Sequence, residues 1–378
     1  MGADAVVIVE SFEHEETDTS DVDAVVFADG TVPPDMLNGT VSAYHFVIAN
    51  DKEQFQLDSI TATAESTADT TKLALKSQFL QAEMNGKFKL TKVGTALSKT
   101  ISKYYASKPN AEARQEDVAP QQFTFRADVH NDPVLQKLVP ELTRLEPIHL
   151  EGGYESQNDS LNVRGTIPRL TYGDNTISGA VVELRTESDS LVYNLNIDQI
   201  ENKQFQLPDT NLNGSVKNNT VTYNLVVRDL EGKEHYRIAG DMKAIDQINE
   251  IHLNPDGLTL NYDPWVIDPE NKIRLGGEGV NAQRFELSRD GSSIRLQSQT
   301  EAMSAPLDVT FTDFRLETLT KMVAKETKEG LSIGGNLNGK VALKDLKTNP
   351  VFTSDLTIEE LTMGKDTVGN VNVKVDNI

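Results

Sequence analysis

The sequence predicts a mainly β protein: an elongated antiparallel sheet with one apolar face, interrupted by a few short helices. Three observations lead there. Leu331, Ile333, Leu337, Val341 and Leu343 fall on odd positions of one unbroken segment, with Gly335 and Gly339 in the slots between. A two-residue period of this kind belongs to a strand with one apolar face. The same alternation recurs along the chain, at Leu73/Leu75, Leu80 to Leu90 on even positions, Phe123/Phe125, Leu161/Val163/Ile167, Leu191 to Ile197, Val221 to Val227, Leu258/Leu260/Tyr262 and Val371/Val373/Val375. Finally, aromatic residues are only 6% and charged residues 25%. Strands that alternate, rather than reading as solid apolar runs, leave one sheet face wet.

A short phrase repeats within these strands: apolar, Asn, Gly, polar, apolar. It occurs at Leu37 to Val41, Met84 to Phe88, Leu212 to Val216 and Leu337 to Val341. The uneven spacing excludes a strict solenoid repeat and points to duplicated blocks with insertions. Asn-Gly is also the commonest two-residue hairpin turn, so the alternative is that some of these phrases are simply turns. Three helical patterns punctuate the strands, near 92–106, 133–145 and 314–326. Val93, Leu97, Ile101 and Tyr104 mark the first. Asp132 followed by Pro133 marks the start of the second as a cap with proline at the first helical position, and Pro140 then predicts a kink or two short pieces. Asp313 opens the third. Each apolar stripe must be buried, and the apolar sheet face is the only large surface predicted to receive it. No linker is rich enough in glycine or serine to be a free tether, so 1–378 reads as one elongated unit.

Composition excludes several functions. Lys plus Arg is 36 against Asp plus Glu 58, a net charge of −22; nucleic-acid binding requires clustered cations that this chain lacks. With zero cysteines there is no disulfide scaffold, thiol nucleophile or cysteine metal site. The six histidines have no metal-ligand spacing, and His130 between Asp128 and Asp132 is the best local cluster, explained by hydrogen bonding at a strand–helix junction. Asn254-Pro255-Asp256-Gly257 lacks the carboxylate series and closing Glu of a calcium loop, and Gly276-Gly277-Glu278-Gly279 lacks the Lys-Ser/Thr of a phosphate loop. Neither a catalytic constellation nor a cofactor motif is present, and the expectation is a non-enzyme. Trp265, the single tryptophan, reads as packing at a sheet edge, with lipid contact as the alternative. No eighteen-residue apolar run or signal-peptide layout occurs. The abrupt start at Met1-Gly2-Ala3-Asp4 and the alternating strand running to Ile378 read as an internal piece of a longer protein.

The segment from Leu331 to Asp376 resembles the TamB translocation and assembly module family, part of the AsmA-like envelope proteins, in its Gly-Gly strand, its Asn-Gly turn, its Asn349-Pro350-Val351-Phe352 strand entry and its Gly369 strand. Pro264-Trp265, Asp268-Pro269-Glu270-Asn271 and Arg284-Phe285-Glu286-Leu287-Ser288 are similar to versions found in Bacteroidota. The resemblance implies a strongly curved sheet, a half-pipe forming a periplasmic β-groove anchored in the inner membrane, that conducts phospholipids between the inner and outer membranes through contact with their acyl chains. The family's membrane anchor and the C-terminal end that meets an outer-membrane barrel partner lie outside the matching residues. The alternative within the resemblance is a factor that helps outer-membrane proteins assemble with that barrel partner. A purely structural β protein, with its apolar face sealed by a second sheet, is the other reading. By strand parity, Leu75, Met84, Phe88, Phe125, Val163, Ile197, Leu225, Leu260, Phe311, Ile333, Val341 and Val373 are expected to line one continuous apolar trough.

Overall fold

The computed structural model describes residues 38–49, 54–105, 119–203, 205–245, 247–318, 333–344 and 351–376. The chain is mainly β, every strand pair is antiparallel, and the contacts divide it into two compact units, 1–101 with 113–188 and 102–112 with 189–378. No helix among the described residues is long and apolar enough to cross a membrane.

The first unit holds β1 (Gly39–Ala49), β2 (Gln54–Ser66), β3 (Thr71–Ser77), β4 (Leu80–Lys87), α1 (Leu90–Tyr104), β5 (Gln122–Val129), α2 (Pro133–Leu138), β6 (Leu142–Leu145), β7 (Ile148–Glu155), β8 (Ser160–Tyr172) and β9 (Asn175–Glu187). The strands pair in the order β1, β2, β3, β4, β5, β7, β8, β9, and β6 continues the line of β7 beside β8. Pro147, between β6 and β7, has no N–H to give the ladder, and the line breaks there. The second predicted helix starts as expected, with the Asp132 carboxylate accepting from the Val134 N–H at 2.8 Å. It ends at Leu138, however, not near 145. Val139 precedes a proline and leaves the helical region (φ −130°, ψ 80°), because the proline ring disfavours α conformation in the residue before it. Leu142 and Leu145 consequently lie in a strand, both buried.

The second unit holds β10 (Ser190–Glu201), β11 (Gln206–Lys217), β12 (Thr220–Arg228), β13 (Glu234–Ile245), β14 (Ile248–Leu260), β15 (Asp263–Ile267), β16 (Lys272–Gly276), β17 (Gly279–Gln283), β18 (Phe285–Arg289), β19 (Ser292–Ser298), β20 (Leu307–Arg315), β21 (Ile333–Lys344), β22 (Val351–Met363) and β23 (Asp366–Asp376). It forks at β14. One half of that strand pairs with β15, which leads through β18, β19, β20, β21 and β22 to β23; the other half pairs with the β16–β17 hairpin. The third predicted helix begins later than expected. Asp313 sits in β20, residues 316–318 are helical, and the remainder of that stretch lies outside the described residues.

The Asn-Gly phrases in β4, β11 and β21 are strand glycines, not turns. Tight hairpins use other residues: Asn218-Asn219 and Asn261-Tyr262 both take positive φ, which asparagine tolerates better than most side chains. At Gly214 an added Cβ would stand 1.9 Å from the Thr222 carbonyl oxygen of the next strand. Glycine alone permits that approach. Gly276 and Gly279 pair with each other and close the β16–β17 hairpin, and Asn254-Pro255-Asp256-Gly257 is a wide bulge inside β14 that lies over Ala239.

Candidate functional site: an apolar sheet face

In both units the ladder register places apolar residues directly opposite one another, strand after strand. Residues paired across a ladder share a face. In the first unit the row reads Ala64, Leu73, Met84, Phe125, Gly152, Val163, Leu184 across β2, β3, β4, β5, β7, β8 and β9. The Phe125 ring covers Gly152, where an added Cβ would lie 2.8 Å from it, so the glycine leaves no gap in the row. A hollow of about 410 Å³ is bordered by Phe125, Gly152, Val163 and Leu184. Leu75 stands opposite Ala82, two residues from Met84, and is on the same face.

Towards one end of this face the row turns aromatic. Phe88 and Phe123 have ring centroids 5.5 Å apart, as have Phe123 and Tyr154, and all three are buried. The helix α1 covers them. Tyr154 Oη donates to the Ala96 carbonyl at 2.8 Å and lies 2.9 Å from Thr100 Oγ1. Over this ring cluster the buried helix positions are Ala96 and Thr100, each one residue before the Leu97 and Ile101 of the predicted stripe, and Ile101 is exposed. A polar contact to Tyr154 set the rotation of this helix, and counting apolar residues misses it.

In the second unit one row runs Leu195, Leu212, Leu225, Ile238, Leu258, Trp265 across β10 to β15. Two residues further along β15, Ile267 starts a second row through Leu287, Ile294, Phe311, Gly339, Leu356 and Val373 to β23. Leu225, Leu260, Phe311 and Val373 therefore share one face. So does Val341, which pairs with Val309, two residues from Phe311, and Ile197, two residues from Leu195, is buried on it. Ile333 stands past the irregular pairing at Gly335, opposite Met363, where simple parity no longer assigns a face.

This face has two characters. Along β10 to β12, Leu195, Leu212 and Leu225 are half-buried, with Ile197 and Val227 buried beside them, and Ile238 on β13 packs against the cluster that follows. Two tyrosines lie across glycines on the same face: Tyr193 faces Gly214 and donates to the Thr222 carbonyl at 2.9 Å, and Tyr223 faces Gly240. Burial, aided by the Asp241 carboxylate, pushes the Tyr223 hydroxyl up to about 12. From β14 to β21 the face closes on itself. Leu258, Trp265, Ile267, Phe314 and Leu337 form one buried cluster. Leu258 and Leu337 are five strands apart in the ladder, roughly 24 Å in a flat sheet, so the sheet curls there with its apolar face concave. A second cluster, Ala282, Phe285 and Leu307, is formed where the β16–β17 hairpin lies against the same strands.

A bulge builds the sealed cluster. Phe311 and Phe314 are three residues apart, yet their rings meet at 5.8 Å. Asp313, at φ 42°, shifts the register between them. Asn338, from the last Asn-Gly phrase, holds that bulge by accepting from the Asp313 N–H at 2.8 Å and donating to its carboxylate at 3.1 Å. Asparagine in this phrase therefore positions Phe314, a role the repeat by itself did not disclose.

Polar groups predominate on the opposite face, where Val226 and Ala239 on β12 and β13 are buried apolar exceptions. Lys340 pairs with Asp308 at 2.8 Å and Arg164 with Glu183 at 3.8 Å, while Asn211 donates to Asn194 and Asn196 at 2.8 and 2.6 Å. The His130 cluster does not assemble a metal site. Asp128 is bonded to His149, which holds its carboxyl below the usual range together with the neighbouring Arg126, and Asp132 serves as the cap of α2. No group of three metal-ligating side chains occurs among the described residues. No family profile, curated protein or solved structure matches the chain.

Proposed function

We propose that this chain is a segment of a TamB-like envelope protein whose apolar sheet face carries phospholipid acyl chains between membranes, with the full protein in the periplasm and anchored in the inner membrane. The observation that supports the reading is the register. In each unit, strand after strand adds an apolar residue to the same row while ion pairs and amides sit on the opposite face. An acyl chain laid along such a face leaves water at about 0.8 kcal/mol per buried methylene, and its headgroup stays hydrated at the edge. Transfer of this kind needs shape and wettability, not bond chemistry.

The experiment is photo-crosslinking of radiolabelled phospholipid from Met84 and Leu225 on the apolar face, and from Glu83 and Asn213 on the polar one. Labelling confined to the first pair is expected. Val341→Asp and Leu225→Asp should abolish lipid passage in the intact protein, since an unpaired charge in an apolar groove is costly, whereas Lys340→Glu and Thr357→Glu leave it unchanged. Equal labelling of both faces would overturn the reading and favour assistance to outer-membrane protein assembly instead.

A further inference from the structure

Trp265 carries a detail that packing alone does not explain. The side chain is 4% exposed, in a cluster with Leu258, Ile267, Phe314 and Leu337, and its Nε1–H has no acceptor among the described residues. Indole nitrogen is a donor only, and a buried donor normally finds a partner. The apolar row of β10–β15 ends at this residue, and the row of β15–β23 starts two residues further along the same strand, at Ile267. The contact that shields it, Trp265 to Phe314 at 6.0 Å between ring centroids, joins strands that are not hydrogen-bonded to each other. The two rings can part without breaking a ladder bond.

We infer that Trp265 is a binding residue for the ester carbonyl of a glycerolipid acyl chain, its indole N–H donating to that oxygen when the chain displaces Phe314. This rests on the acyl-chain reading above and specifies where on the face the cargo is held. A guest for this position must be apolar, because every neighbour in the cluster is, and must carry an acceptor. An ester carbonyl meets both conditions. A fatty-acid carboxylate has the acceptor but brings an anion into an apolar cluster of a chain with net charge −22, which opposes it.

The single tryptophan reports on its own site. Soluble short-chain diester phosphatidylcholine, the diether analogue with the same chains, and the corresponding free fatty acid are titrated into the whole chain while tryptophan emission and retained ligand in native mass spectra are followed. The diester should bind about fivefold to tenfold more tightly than the diether, the value of one hydrogen bond, and should shift the emission. Trp265→Phe should remove that preference, bringing the diester and diether affinities together. Equal affinity for diester and diether in the native chain overturns the inference while leaving the acyl-chain reading intact, and this arm stands even if the variant fails to fold. A diester preference that survives Trp265→Phe, or tighter binding of the fatty acid than of the diester, overturns it as well. Binding of none of the three ligands overturns the acyl-chain reading and this inference together.

Discussion

The stretch from β10 to β13 and the stretch from β14 to β21 are built from the same alternating pattern, yet one leaves its apolar face half-covered and the other folds it into a dry cluster. Leu212 and Leu225 on the first side and Leu258 and Leu337 on the second sit at equivalent ladder positions. What separates them is curl. On the second side the fork at β14 supplies a covering hairpin, and the Asp313 bulge turns a phenylalanine inward that regular alternation would have turned outward. An alternating sheet is thus neutral between a groove and a core, and a few backbone irregularities decide.

The largest expected effect tests that division by stability. Trp265→Ala or Phe314→Ala should cost the second unit about 3–5 kcal/mol, the range for large aromatic truncations in a core, whereas Leu225→Ala on the half-covered side should cost about 1–2 kcal/mol. Urea denaturation with equal m-values measures both; equal losses at the two places would erase the distinction. Next in size is Gly214→Ala. Its Cβ would meet the Thr222 carbonyl, and relieving that overlap should cost about 1–3 kcal/mol, compared with a small change for Gly277→Ala, where an added Cβ meets nothing within 4 Å and the backbone is outside the left-handed region.

A smaller effect concerns pH. The Tyr223 hydroxyl is raised to about 12 in the folded chain from the ordinary 10.0, chiefly by burial. The folded state therefore holds its proton more tightly than the unfolded one, and the stabilisation is complete below about pH 10 and lost as pH rises towards 12. Melting temperature against pH should fall in that window, and less so in Tyr223→Phe. At the least sensitive end, Arg284→Ala removes ion pairs to Asp268 and Glu270 on the exposed surface and should change the melting temperature barely at all, as exposed pairs do. A large fall would mean that the turn at 268–271 holds the fork at β14 in place.

Several elements were legible in the sequence because their causes are local. The two-residue period identified the strands, and Asp132-Pro133 announced the start of α2 with the cap the structure contains. Placement of most trough candidates on a common face within each unit also follows from parity, since side chains in a regular strand have no other choice. Parity loses its force at irregularities: Ile333 lies past one, and Phe314 was assigned to a helix when it is in fact a buried ring beyond a bulge. The end of α2 at Leu138 was marked by Pro140, but apolar spacing through Leu145 outweighed it in the reading.

Composition and periodicity by themselves determined the fold class, the sidedness of the strands and the absence of cysteine chemistry. They could not determine which part of the apolar face is open. That depends on curl, which sums small backbone departures over many strands, and on contacts such as Trp265 with Phe314 between residues 49 positions apart on strands that never pair. Hydrogen-bonded neighbours communicate through a local register that the sequence writes directly. Side chains that meet across a curled sheet are brought together only by the tertiary structure.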